Sequence, residues 1–373
     1  MSESNAAKIK KISIHKAKPS MILGRDVVLD NGIVLLAKNT MLNDTNYVKL
    51  LTSGIENIYV NQGSIEEQVE YFTEKEAKAV TLERQRVPVE ERPDFIEFEN
   101  TVNDKTHDAK KYIHAISNGE NVDLNLLFSI TDDIMNGLRC KTDFLTYIGF
   151  IKETDEHTYH HCVNVSLLCN LFGRWINMDK EELEELTIAG MLHDIGKTKI
   201  PNEILNKKGK LTDQEYAIMK KHPIYGYRLL HDQNISDAIK LGALMHHEKM
   251  DGTGYPMAVK SERISKLAKI IAICDIYDAM TSNRVYRDKI CPFEVIKTFE
   301  TKAYGELDTH YLLLFLQNIA YTYIGQWAIL TGGIEAEVIF INRAQLSRPI
   351  VRTEDNKFID LSNIKDISIE SLV

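Results

Sequence analysis

From residue 101 to about 300 apolar positions recur mostly with a helical period, whereas near both ends of the chain they alternate or run in short blocks. In "VVLDNGIVLLA", Asn31-Gly32 separates two apolar runs and predicts a β-hairpin. "NDTNYVKLLTSGI" predicts a short helix with a polar N-cap and Gly54 just past its end, and "NIYV" a closing strand. Residues 1–60 thus read as a small α+β domain. Residues 61–100 are densely charged and carry Pro88 and Pro93, so they read as a linker, with a short exposed helix over "EEQVEYFTEKEAKAV". Over 101–150, Ile113, Ile116, Leu124, Leu127, Ile130 and Ile134 fall near helical spacing and predict connecting helices that pack on the next domain or on a second subunit. Residues 151–310 read as a helical domain. There Thr212 and Glu215 have capping-box spacing, and "SERISKLAKIIAICDIYDAMTSN" predicts one long amphipathic helix. Residues 311–373 add a helix and then strand-like runs, "WAILTGGIEAEVIFIN" and "RPIVRTEDNKFIDL". The expected fold is mainly α, flanked by a small N-terminal α+β domain and a short C-terminal β extension.

Composition narrows the function. A net charge of −9 excludes general affinity for nucleic-acid polymers, which need a basic surface, but leaves room for a small phosphate ligand in a local basic pocket. Five cysteines, Cys140, Cys162, Cys169, Cys274 and Cys291, form no CxxC pair, which points to reduced thiols. The opening "MSESNAAKIKKISIHKAKPS" has no apolar h-region, and no apolar run reaches about 18 residues. A cytoplasmic protein without a membrane span is expected.

Histidine and aspartate concentrate in four segments: "HDIGK" from His193, "KKHPIYG" with His222, "MHHEKMDGTGYP" from Met245, and "CDIYDAM" with Asp275 and Asp278. Imidazole nitrogen and carboxylate oxygen suit Fe, Mn and Zn, and a set without thiolate favours a hydrolytic centre over a structural zinc site. Each segment alone has an ordinary reading as a surface pair, a core histidine or a turn. Their succession on consecutive helices, each beside an apolar face, does not.

The order "HDIGK … H … HHEKMDGTGYP … D" resembles the HD-GYP branch of the HD phosphohydrolases. "HDIGKTKIPNEILNKKGKLTDQEYAIMKKHPIYG" and "DIYDAMTSNRVYR" are similar to family sequence throughout, and the likeness covers about residues 155–310. It implies an HD-type helical bundle and a bacterial signalling enzyme: a metal-dependent phosphodiesterase that hydrolyses cyclic di-GMP to linear pGpG, GMP or both. Alternatives are a phosphodiesterase preferring cyclic GMP-AMP, a module that binds nucleotide without turnover, and an HD enzyme acting on mononucleotides.

Carried over by position, the resemblance implies His161, His193, Asp194, His222, His246, His247 and Asp275 as ligands of two divalent ions, Fe or Mn, with Asp194 bridging them. His246 and His247 point about 100° apart on a regular helix, so both serve only if two ions flank that helix or its end is distorted. Lys197 and Asp194 are the implied catalytic residues, and Lys197, Arg284 and Arg287 the cations facing substrate phosphates. Asp278 reads either as a contact to a guanine edge or as a helix cap. Asp251, Gly252, Gly254, Tyr255 and Pro256 form the motif loop, which implies site architecture and a surface for protein partners. His157 lies one helical turn before His161, where members with three metals carry Glu; a histidine there favours two ions, with a third as the alternative. His160 points away and reads as structural or solvated. A homodimer through the 101–150 helices is a further expectation.

Overall fold

The computed structural model describes residues 9–17, 21–25, 27–28, 34–36, 42, 50, 55, 57–61, 89–137, 144–151, 157–282, 290–303 and 305–372. The chain forms two compact units, Met1–Val87 and Pro88–Val373.

In the first unit β1 (Ile9–Ser13) pairs antiparallel with β4 (Asn57–Asn61), and β2 (Val27–Val28) with β3 (Val34–Leu36). The second pairing is the one an Asn-Gly turn predicts. The turn itself and nearly all of the helix expected over 43–55 lie outside the described residues, as does the helix expected over "EEQVEYFTEKEAKAV". A small core gathers Ile14, Leu23, Val27, Leu42, Leu50, Ile58 and Val60.

The second unit is helical. Its elements are α1 (Pro93–Ser117), α2 (Leu124–Gly137), α3 (Phe144–Ile148), α4 (His157–Trp175), α5 (Lys180–Leu192), α6 (Asn202–Leu205), α7 (Asp213–Met219), α8 (His222–His231), α9 (Asp237–Met245), α10 (Lys266–Thr281), α11 (Pro292–Lys302) and α12 (Thr309–Thr322). A five-stranded antiparallel sheet follows, in the order β8-β7-β6-β5-β9. Its strands are β5 (Trp327–Leu330), β6 (Ile334–Phe340), β7 (Ile350–Thr353), β8 (Phe358–Asp360) and β9 (Ile369–Leu372). One continuous apolar core runs from Val89 through the helices to Ile369.

Two boundaries differ from the sequence reading. Helix α1 begins inside the stretch read as linker. Pro93 occupies its first turn, where the missing N–H costs nothing, and Phe95, Phe98 and Val102 are buried at helical spacing. The long helix expected from Ser261 is broken. Ser261–Arg263 form a separate turn, and α10 starts after Ser265, whose hydroxyl accepts the Ala268 N–H at 3.2 Å. Nor is α10 amphipathic: Leu267, Ala268, Ile270, Ile271, Ala272, Ile273, Cys274 and Tyr277 bury its circumference almost completely. It is the central post, packed by α4, α5, α9, α11 and α12. A helix that apolar on all sides has nowhere stable but the middle of the bundle.

Among the described residues no helix is long and apolar enough to cross a membrane. Replacing Ser265 by Ala removes the cap of the central helix and is expected to cost about 1 kcal/mol of stability, read from urea unfolding.

Candidate metal centre

The histidines of the motifs sit at helix ends, and that placement orients them. His193 is the residue just after α5, and His246 the one just after α9; His222 opens α8 three residues beyond the last residue of α7. The final carbonyls of a helix have no partner within it. Each ring uses one: the Nδ1–H of His193 donates to Gly190 O at 2.7 Å, that of His222 to Met219 O at 2.9 Å, and that of His246 to Ala243 O at 3.0 Å. A carbonyl only accepts, so each neutral ring carries its proton on Nδ1 and presents the Nε2 lone pair inward.

Those lone pairs converge on Asp194, whose side chain is almost wholly buried. Its Oδ2 lies 3.3 Å from His193 Nε2 and 3.8 Å from His161 Nε2, and accepts from Lys197 Nζ at 2.5 Å. Its Oδ1 lies 3.2 Å from His222 Nε2 and 3.8 Å from His246 Nε2. Two groups of donor atoms result, His161, His193 and Asp194, and Asp194, His222, His246 and His247; within each group all donors lie within 4.8 Å of one another. Asp275, on α10, spans the two: one oxygen is 3.0 Å from His161 Nε2, the other 4.0 Å from His247 Nδ1. The adjacent pair His246 and His247 reaches one site where α9 ends at Met245, their ring centroids 4.1 Å apart.

The donor set fits divalent cations. His193 Nε2 and Asp194 Oδ1 are buried without a hydrogen-bond partner. His222 Nε2 and His246 Nε2 face each other at 3.3 Å although both rings already donate from Nδ1. Two lone pairs so placed repel unless a cation shares them.

Electrostatics follow from burial and charge. Burial alone would raise the Asp194 carboxyl, but Lys197, then His193 and His222, hold it well below the usual range. Burial opposes charge on Lys197 too, yet Asp194 and Asp275 keep it cationic. Burial would lower His161, but its hydrogen bonds to Asp275 and Asp278 push it up to about 10. His247 is driven down to about 3 and His246 well below its ordinary value, chiefly by burial.

The motif loop roofs this cluster. The Tyr255 ring stacks on His247 with centroids 4.7 Å apart, and its N–H donates to His247 O. Gly254 passes so close to the chain before it that a Cβ would lie 2.4 Å from Lys249 N and 2.5 Å from Glu248 Cα. Asp251 closes the turn by accepting from the Thr253 N–H and hydroxyl. Glu248, which the sequence reading missed, is buried and accepts the backbone N–H groups of Met257 and Val259 at 2.7 and 3.1 Å, tying the far side of the loop to the end of α9. Its place inside "HHEKMDGTGYP" was the only available signal.

A similarly tight approach sets His222 against the HD turn. A Cβ on Gly196 would fall 1.9 Å from His222 O and 2.4 Å from Gly226 N. On the other side Ser117, the last residue of α1, accepts Lys199 Nζ at its carbonyl (2.9 Å), and its hydroxyl lies 2.9 Å from that of Thr198. His160 is buried beside Thr106 of α1, its Nδ1 3.4 Å from the threonine hydroxyl, in keeping with a structural role. Asp278 departs from one of its two readings. It is 1% exposed, and its oxygens take His161 Nδ1 at 2.6 Å and the Ser282 hydroxyl at 2.9 Å, so it offers no edge to a base. The Ser282 hydroxyl, just past α10, holds the second oxygen in place. Arg284 and Arg287 lie outside the described residues, as does the side chain of His157, the first residue of α4.

Residues 146–310 match the HD domain family. The match covers the segment that carries the HD, H, HH and D motifs, which resemble those of the HD-GYP branch. Among curated proteins, the chain is 34% identical over 235 residues to a Pseudomonas aeruginosa protein named as a cyclic di-GMP phosphodiesterase, covering 63% of this chain and 56% of that one. It is 40% identical over 137 residues to a Thermotoga maritima cyclic di-GMP phosphodiesterase, 36% of this chain and 37% of that one. It is 36% identical over 160 residues to a Vibrio cholerae 3'3'-cGAMP-specific phosphodiesterase, 42% of this chain and 31% of that one. The chain therefore spans about half the length, or less, of these relatives.

Gly196→Ala is expected to push α8 off the HD turn, costing about 1–3 kcal/mol and lowering metal content; unfolding and elemental analysis read both. For chelator-treated protein the sign of the pH dependence can be worked out. His161, raised when folded, contributes stability that is full below its unfolded value of about 6.5 and is lost as pH rises through about 10. His247, depressed when folded, contributes stability that is lost as pH falls from about 6.5 towards about 3. Thermal stability of metal-stripped protein should therefore peak near pH 6.5 and fall on both sides in a pH series.

Proposed function

We propose that the chain is a metal-dependent phosphodiesterase of cyclic dinucleotides, with cyclic di-GMP as substrate and linear pGpG or GMP as product. The observation that carries this reading is the pair of buried donor groups sharing one carboxylate, Asp194. His161 and His193 would hold one ion, His222, His246 and His247 the other, with Asp194 between them and Asp275 reaching from α10. Iron or manganese suits these nitrogen and oxygen donors. Bound there, two divalent ions supply Lewis acidity for the phosphoryl oxygens and for the attacking water.

The chain's own residues do the rest. Lys197, kept cationic by Asp194, stands beside the centre and would offset charge that develops on the phosphoryl group. The rings of His193, His222 and His246 are pre-oriented by backbone carbonyls, so their geometry needs no rearrangement when substrate enters. Tyr255, whose phenol burial pushes up and keeps protonated, covers one face of His247. Arg284 and Arg287 would grip the second phosphate, as the family resemblance implies. The likeness to the Vibrio cholerae protein supports a second reading, preference for cyclic GMP-AMP.

Full-length protein loaded anaerobically with Fe(II) or Mn(II) is expected to carry two ions and to cleave cyclic di-GMP, as read by chromatography of products. His193→Ala or Asp194→Ala should abolish turnover with the fold retained. Lys197→Ala should lower kcat by about 10²-fold while metal remains bound. Intact cyclic dinucleotide after incubation with metal-replete protein would refute the reading.

A further inference from the structure

Resting on that metal-centre reading, we propose that Asp278 is a positioning residue that sets the tautomer and orientation of His161. The other three inward rings with a defined Nδ1 partner, His193, His222 and His246, lean on carbonyls left over at helix ends. His161 cannot. It lies inside α4, the fifth residue of a helix that runs from His157 to Trp175, where the preceding carbonyls are engaged in the helix's own bonds. A side chain from elsewhere has to take the place of the carbonyl. Asp278 does so from α10, one turn beyond Asp275, with its Oδ2 2.6 Å from His161 Nδ1.

The acceptor is itself held. Its other oxygen takes the Ser282 hydroxyl at 2.9 Å, and the Ser282 N–H donates to the Asp278 carbonyl at 2.9 Å. A carboxylate in this position accepts and does not donate. His161 therefore keeps hydrogen on Nδ1, and Nε2, which faces Asp275 at 3.0 Å and Asp194 at 3.8 Å, is the nitrogen left for a cation to claim. One helix thus supplies both the residue that shares the metal pocket with His161 and the residue that aims it. A negative partner behind a ligating imidazole also strengthens the ring as a donor.

The test uses the full chain with Mn(II) alone for affinity and Zn(II), which is diamagnetic, for nitrogen NMR of ¹⁵N-histidine-labelled protein. The His161 signals are assigned against His161→Gln. In the wild type, His161 should be protonated at Nδ1 and coordinated through Nε2. Asp278→Asn, nearly isosteric, should weaken Mn(II) binding by about 10–100-fold and give His161 mixed tautomers. Ser282→Ala, which removes only the bond at the far oxygen, should keep both the affinity and the single tautomer. Folded Asp278→Asn that binds Mn(II) as tightly as the wild type overturns the proposal. So does wild-type His161 coordinating through Nδ1, a measurement that decides the matter even where the variant does not fold. Wild-type protein that takes up no Mn(II) would sink the metal-centre reading itself, and the role of Asp278 with it.

Discussion

A buried carboxylate holds this molecule's chemistry together. Asp194 stands at the junction of two histidine groups, each of its oxygens facing one of them. An ionised carboxylate is tolerated at such depth only with opposite charge or strong donors around it. Lys197 supplies one positive charge at the rim, and the converging imidazoles present lone pairs, not protons, on the inner side. A donor set of this kind fits divalent cations.

The surrounding fold serves that requirement through where its helices stop. α5 and α9 each stop just before a histidine of the donor set, and α8 begins on one just after α7 ends. The close passage of Gly196 against α8 and the anchoring of the motif loop by Glu248 bring these ends to a common point. The central α10, apolar almost all round, fixes the depth from which Asp275 and Asp278 project. Breaks in secondary structure, more than the elements themselves, build the site.

Much of this was legible in the sequence. The HD, H, HH and D segments announced the donor set because metal chemistry restricts residue types so strongly, and the Thr212 cap and the C-terminal strands followed from local rules. What escaped was relational. A charged composition over 61–100 hid the apolar stripe with which α1 begins. Spacing within α10 could not say that the helix would be surrounded on all sides. Asp278 looks like any carboxylate one turn beyond Asp275, and only the fold shows that it faces His161 and not solvent. Glu248 gave no sign of burial, since a glutamate between a histidine and a lysine reads as surface.

The use of main-chain carbonyls as partners for three of the rings has an evolutionary consequence. A carbonyl is present whatever residue carries it, so substitutions at Gly190, Met219 or Ala243 cannot delete those acceptors so long as the helix ends remain in place. Mutational drift can therefore erode the orientation of His193, His222 and His246 only by disturbing the backbone. His161 enjoys no such protection, because its partner is a side chain one codon change away from loss. Of the four rings, it is the one where selection must act on a second position to preserve the first.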